Sequence, residues 1–220
     1  MKIVLIPGLG YDCRIFDNLN LSNFNVQCLN WIEPKSNEKI HEYSQRLFSK
    51  VKDSSEKIIL IGHSLGGIVS QEIASKNRIE KIILISSIKS RKEIPISFKL
   101  VKPLLLYKFF TKEISIKTIR FWGKSHGFEN ESEKDLFKSM VGKQKNYYLQ
   151  WALKELSSWH EPKILTETDI IHIHGTKDKT LPYKLVENPD FTIKNGSHIC
   201  VLKKAEKISE LIKNALQQRV

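Results

Sequence analysis

Ser64, Asp178 and His198 are the residues of this chain whose types and order suit nucleophilic attack on an acyl carbon. Ser64 stands at the centre of Gly62-His63-Ser64-Leu65-Gly66-Gly67, a G-x-S-x-G pattern that joins the apolar run Ile58-Ile59-Leu60-Ile61 to a stretch of helical periodicity. A strand, a sharp turn and a helix in that order leave one hydroxyl at the apex of the turn, and the glycines let the backbone pass through it. A serine hydroxyl is too weak an acid to attack a carbonyl unaided. It needs an imidazole to take its proton, and that imidazole needs a partner to fix its tautomer. His198, in Asn195-Gly196-Ser197-His198, is the expected base, and Asp178, in Gly175-Thr176-Lys177-Asp178, is the expected orienting acid. Both sit in glycine-bearing loops after strand-like runs, and they follow Ser64 in the chain order Ser, Asp, His that goes with a G-x-S-x-G turn between strand and helix. Asp190 is the fallback acid. Charge developing on the substrate oxygen needs preorganised donors. The backbone N–H groups of Leu65, just after the serine, and of Leu9, in Pro7-Gly8-Leu9-Gly10, are the expected pair.

Other candidates carry weaker signals. His172 and His174, two apart on a strand, would point the same way, but no third ligand accompanies them and no metal is expected. His63 is expected to pack beside the turn rather than titrate in the reaction, and His41, His126 and His160 carry no detectable chemistry. The three cysteines, Cys13, Cys28 and Cys200, are odd in number and lack C-x-x-C spacing, so reduced and mostly buried thiols are expected.

The elements that must position these residues follow from apolar patterning. Lys2 to Ile6 reads as a buried strand, and Phe24, Val26 and Cys28 alternate as a second. Asp12 stands as an N-cap before Ile15, Phe16 and Leu19 on one helical face, and Ile40, Tyr43, Leu47 and Val51 mark a helix from about Glu38. Lys57 to Ile61 and Ile82 to Ile85 are unbroken β-branched and leucine runs, as in strands buried on both faces, with Ile68, Val69 and Ile73 on the helix between them. After a long interruption, Asp169 to His174 and Phe191 to Ile193 return as strands, and Ala205, Ile208, Leu211, Ile212 and Ala215 define a closing helix. Alternating strands and helices predict an α/β, doubly wound, mostly parallel sheet of about six strands. Ser64, Leu9, Asp178 and His198 all fall at its carboxyl edge, where such sheets bind ligands.

Residues 89–161 read as a mostly helical cap inserted into a core made of residues 1–88 and 162–220. Between Lys89 and Arg120 nine basic residues face only two acidic ones, so this segment carries +7 of the chain's formal +12. It is also apolar, with Phe98, Leu100, Val101, Leu104, Leu105, Leu106, Phe109 and Phe110. One reading is a solvated lysine face whose apolar side packs on the core. The sharper one is a lid whose apolar face lines an acyl pocket while its lysines attract an anionic carrier, such as an acidic acyl-carrier protein or a coenzyme A thioester, or an anionic membrane surface. Nucleic acid is disfavoured as a partner, because 30 of the 36 basic residues are lysine, whereas base and phosphate recognition favours the arginine fork. At 220 residues and 40% hydrophobic the chain suits one core. No apolar run approaches the roughly 20 residues that span a bilayer, and the first strand begins at Lys2 without room for a leader, so a cytoplasmic protein is expected.

Pro7-Gly8-Leu9-Gly10, Gly62-His63-Ser64-Leu65-Gly66-Gly67, His174-Gly175-Thr176-Lys177-Asp178 and Gly196-Ser197-His198 together resemble the α/β-hydrolase fold superfamily over the whole chain outside the cap. In that superfamily the first loop usually reads His-Gly and the next residue donates to the oxyanion. Here Pro7-Gly8 stands in its place, and Leu9 aligns as the donor. Two antiparallel strands that often precede the oxyanion strand are absent, which leaves six parallel strands. The resemblance implies a serine hydrolase that cleaves a carboxylic ester or related acyl or thioester bond of a small molecule through an acyl-enzyme, with no cofactor. It leaves the substrate open, since esterases, thioesterases, lactonases, lyases and catalytically inactive binding proteins share these features.

Overall fold

The computed structural model describes residues 1–51, 56–165 and 168–217. The expected core ranges run through residues 52–55, 166–167 and 218–220, which lie outside the described residues.

Six strands form one sheet in the order β2-β1-β3-β4-β5-β6, with every neighbouring pair parallel. They are β1 (Lys2–Ile6), β2 (Asn25–Cys28), β3 (Ile58–His63), β4 (Lys81–Ile85), β5 (Asp169–Gly175) and β6 (Phe191–Ile193). In the central register Ile61 lies beside Leu5 on one side and Ile83 on the other. Every residue of β1 and β4 is buried, so helices cover both faces of the sheet, and this explains why their sequences run apolar without alternation. The edge strands β2 and β6 are less covered, and in β2 the expected alternation of Phe24, Val26 and Cys28 is not reflected in burial: Asn25 and Val26 are both exposed and Gln27 and Cys28 half-buried, because an edge strand has a neighbour on one side only.

Helices α1 (Ile40–Phe48) and α2 (Leu65–Ala74) pack on each other, and the chain closes with α7 (Cys200–Lys203) and α8 (Ala205–Gln217). The predicted helix around Ile15 is shorter than its apolar spacing suggests. Asp12 caps it by accepting from the Arg14 N–H, but only a 3-10 turn over Cys13–Phe16 forms before the turn-favouring Asp17, Asn18 and Asn20.

Between β4 and β5 the chain forms α3 (Ile96–Lys99), α4 (Lys112–His126), α5 (Glu131–Val141) and α6 (Asn146–Ser157). Thr111 caps α4 through the Ile114 N–H, and Asn130 caps α5 through the Glu133 N–H. α6 ties this insertion to the core, burying Tyr148, Leu149, Trp151 and Leu156. Trp151 Nε1 donates to the Glu38 carbonyl at 2.7 Å, and Trp159 Nε1 to Glu72 Oε1 at 2.7 Å. Among the described residues no helix is long and apolar enough to cross a membrane.

One expectation is overturned. Cys13 and Cys28 form a disulfide with their Cα atoms 6.0 Å apart, and only Cys200 is a free, buried thiol. The parallel pairing of β1 with β2 sets Cys28 beside Leu5, and the loop after β1 turns back to bring Cys13 to the same edge. A separation of 15 residues carries no motif, so this pairing exists only in three dimensions.

Candidate active site

The turn after β3 is built by contacts that leave no room for side chains. A Cβ on Gly66 would lie 2.0 Å from the Ile6 carbonyl oxygen, and one on Gly62 would lie 2.4 Å from the Gly66 backbone. β3, α2 and the end of β1 therefore meet backbone to backbone. Ser64 takes φ 52° and ψ −119°, a conformation that costs a non-glycine residue about 1–3 kcal/mol and persists only where its surroundings enforce it. Three hydrogen bonds do so: Ser64 N–H to the Ile85 carbonyl at 3.0 Å, Gly67 N–H to the Ser64 carbonyl at 2.9 Å, and Ser87 Oγ to the same carbonyl at 2.7 Å.

Ser64 Oγ lies 3.0 Å from His198 Nε2, and His198 Nδ1 lies 2.8 Å from Asp178 Oδ2. The other Asp178 oxygen accepts the N–H groups of Thr180 and Leu181, each at 2.9 Å, so the loop after β5 locks the carboxylate before it meets the imidazole. Asp190 does not join this chain of hydrogen bonds; its Oδ2 accepts the His172 N–H at 2.8 Å. Leu65 is the first residue of α2, where N–H groups have no intrahelical acceptor, and Leu9 lines the pocket in front of Ser64.

Four further histidines surround His198 and Asp178. His63 Nε2 lies 3.0 Å from the His198 carbonyl, which fits a packing role beside the turn. His174 Nε2 lies 2.9 Å from the Leu181 carbonyl and 3.4 Å from Asp178 Oδ2, with His172 Nε2 3.2 Å from its other nitrogen. His172 and His174 thus lie side by side, with His174 reaching Asp178 and His172 meeting His174 and the Ser87 carbonyl. Among the described residues no group of three or more His, Cys, Asp or Glu side chains is arranged to hold a metal ion. Burial lowers His63 and His172 to about 3, and it lowers His174, His126 and His198 in the same direction. Burial raises the Asp178 carboxyl. His198 is therefore held in the neutral form that can accept a proton. Cys200, buried under Ser86, is pushed up to about 12 and is no rival nucleophile.

His126 is the residue that sequence reasoning missed. It ends α4, and Gly127, at φ 115°, turns the chain so tightly against Ser197 that a Cβ there would lie 2.1 Å from its Oγ. The imidazole of His126 consequently sits 4.6 Å from that of His198, ring centre to ring centre, with Nδ1 2.7 Å from Thr180 Oγ1. Its Nε2 is buried without a partner among the described residues. A histidine in the last turn of a helix reads as a partner for the helix dipole, so no local signal announced this meeting.

A cavity of about 370 Å³ ends on Ser64 and His198, near the lower end of the roughly 300–1,000 Å³ typical of small-molecule sites. Phe98, Phe110, Ile114 and Trp122 from the insertion line it, with Leu9 and Leu181 from the sheet edge. No charged side chain among the described residues lines it. The arrangement can hold an apolar group and present a serine hydroxyl, a neutral imidazole and backbone donors to its end.

This architecture is the α/β-hydrolase fold. An esterase from Exiguobacterium antarcticum superposes with a TM-score of 0.76 at 14% identity, covering 99% of this chain and 92% of that one. A carboxylesterase structure from Nitrososphaera gargenis gives 0.72 at 17% identity, covering 98% and 89%, and MenH from S. aureus gives 0.68 at 16%, covering 99% and 93%. By sequence, residues 18–111 match the model of the PGAP1-like alpha/beta domain family. No curated protein matches the chain by sequence.

Proposed function

We propose that this chain is a serine hydrolase that cleaves a carboxylic ester or related acyl (thio)ester bond through an acyl-enzyme. The observation that carries this reading is the continuous chain of hydrogen bonds Ser64–His198–Asp178, with distances of 3.0 and 2.8 Å, at the end of an apolar pocket. Similarity to esterases of the same fold supports an ester as the bond attacked.

In this reading the acyl group lies among Phe98, Phe110 and Trp122, with its carbonyl carbon over Ser64 Oγ. His198 Nε2 takes the serine proton as Oγ attacks, and Asp178 stabilises the resulting imidazolium through Nδ1. The N–H groups of Leu9 and Leu65 meet the oxyanion, a kind of contact whose loss typically costs about 100- to 1,000-fold in rate. His198 then gives its proton to the leaving oxygen or sulfur. Water, deprotonated by the same imidazole, releases the acid and restores Ser64. Residues 89–161 act as the cap that closes this pocket, and His126, with its free Nε2, stands where a polar leaving group would pass.

Fluorophosphonate labelling followed by mass spectrometry tests the reading. Wild type should be labelled on Ser64 and Ser64→Ala should not, and nitrophenyl esters should be turned over by wild type alone. Asp178→Asn should cost about 10,000-fold in turnover if it sets the imidazole tautomer. Absence of labelling in folded wild-type protein, or full esterase activity in Ser64→Ala, would overturn it.

A further inference from the structure

The insertion carries exposed apolar side chains that, Ile114 apart, neither folding nor the pocket explains. Eight of its large apolar side chains between Ile96 and Phe121 are exposed, among them Ile96 at 71%, Phe109 at 69% and Phe121 at 74%. Leu104, Leu105 and Leu106 are successive exposed leucines at the tip of a turn. Leu105 adopts the left-handed conformation (φ 55°), and the Leu106 N–H returns to the Val101 carbonyl, a helix-ending turn in which glycine is the residue of least cost. Leucine there is disfavoured by conformation and remains 46% exposed. On α4, Ile114, Lys117, Phe121 and Lys124 form one exposed stripe. Ile114 also lines the pocket, so the stripe on α4 runs up to the pocket mouth.

Charge accompanies the apolar groups. Lys99, Lys102, Lys108, Lys117, Arg120 and Lys124 have no carboxylate partner among the described residues, and the Arg120 guanidinium lies over the Phe121 ring at 4.7 Å. The two acidic residues of the segment are occupied elsewhere. Glu93 is buried, accepting the N–H groups of Lys89 and Glu187, and Glu113 accepts from Asn146.

We propose that residues 96–124 dock on an anionic phospholipid bilayer, with the apolar side chains in the headgroup–acyl boundary and the basic ones at the phosphates. Protruding aliphatic and aromatic groups interleaved with lysine match a fluid, negatively charged interface, which asks for no shape complementarity. An acidic carrier protein would satisfy the lysines but would need apolar clefts shaped to the projecting leucines and phenylalanines, which a fluid interface does not. Docking turns the pocket mouth toward the acyl region, so the substrate class becomes a lipid-borne ester. That last step rests on the hydrolase reading, whereas the docking does not.

Vesicle sedimentation with the Ser64→Ala protein tests the docking apart from turnover. Binding to phosphatidylcholine vesicles containing phosphatidylserine should exceed binding to phosphatidylcholine alone at least tenfold, and it should weaken as salt shortens the Debye length from about 10 Å at 0.1 M to about 3 Å at 1 M. The triple variant Lys99→Gln/Lys102→Gln/Lys108→Gln should lose most of the preference. Ile96→Ser/Phe109→Ser/Phe121→Ser should lose binding to both vesicle types. In an otherwise wild-type background both variants should keep the parent's melting temperature and its turnover of a short water-soluble ester. Equal binding to the two vesicle types, or binding indifferent to these substitutions, overturns the proposal. So does a dimer that the serine substitutions convert to monomer, because the surface then belongs to a second copy. Vesicle binding by a protein without esterase activity would overturn the hydrolase reading and leave the docking standing.

Discussion

Lowering the pH from about 7 to about 5.5 protonates histidines of the unfolded chain, whose ordinary pKa is about 6.5, while the folded chain holds several of them neutral. His63 and His172 have no exposed surface, and burial brings each to about 3. A histidine lowered in the folded state contributes stability above its unfolded pKa and loses it as the pH falls below that value. Over this interval the two groups together cost about 2.5 kcal/mol, a large share of the roughly 5–15 kcal/mol that holds an ordinary domain. His126, His174 and His198 shift in the same direction and add to the loss. Asp178, Glu72 and Glu93, raised by burial, bind protons more readily in the folded state and oppose it. Urea unfolding of Ser64→Ala, followed by tryptophan fluorescence at successive pH values, reads the balance. Near pH 5.5 His63 and His172 should make the stability fall by about 2.5 kcal/mol per pH unit. A stability unchanged from pH 7 to 5.5 would refute the claim that the folded protein keeps its buried histidines neutral.

Two further outcomes follow from the same geometry. The acid limb of esterase activity should lie below about 6.5, because burial favours the neutral form of His198, the proposed base; a limb at or above that value in the free enzyme counts against it. Replacing Cys13 and Cys28 together with serine should cost about 3 kcal/mol of unfolding free energy, as expected for a cross-link spanning 15 residues, and a melting temperature equal to the parent's would show that the bridge adds nothing.

Much of this protein was written locally. The runs Ile58–Ile61 and Ile82–Ile85 admit burial on both faces and little else, and they stand as neighbouring parallel strands. Gly62 and Gly66 mark a turn that only glycine fits, because backbone meets backbone there, and such a constraint on residue type is visible in sequence. Spacing and chain order also singled out Ser64, Asp178 and His198 as a set. What spacing lacked was proximity. Asp178 and Asp190 both precede His198 in glycine- or turn-rich stretches, and only the fold of the loop after β5 brings the first to 2.8 Å from the imidazole while the second caps a backbone N–H. Cys13 met Cys28 because parallel strands set their edges together. His126 reached His198 because a left-handed glycine folded the end of α4 onto the loop that carries it. The apolar residues of the insertion likewise looked alike in sequence. Tertiary packing sent Phe98 and Phe110 into the pocket and left Phe109 and Phe121 in water, because periodicity names the faces of a helix but not which face meets the core.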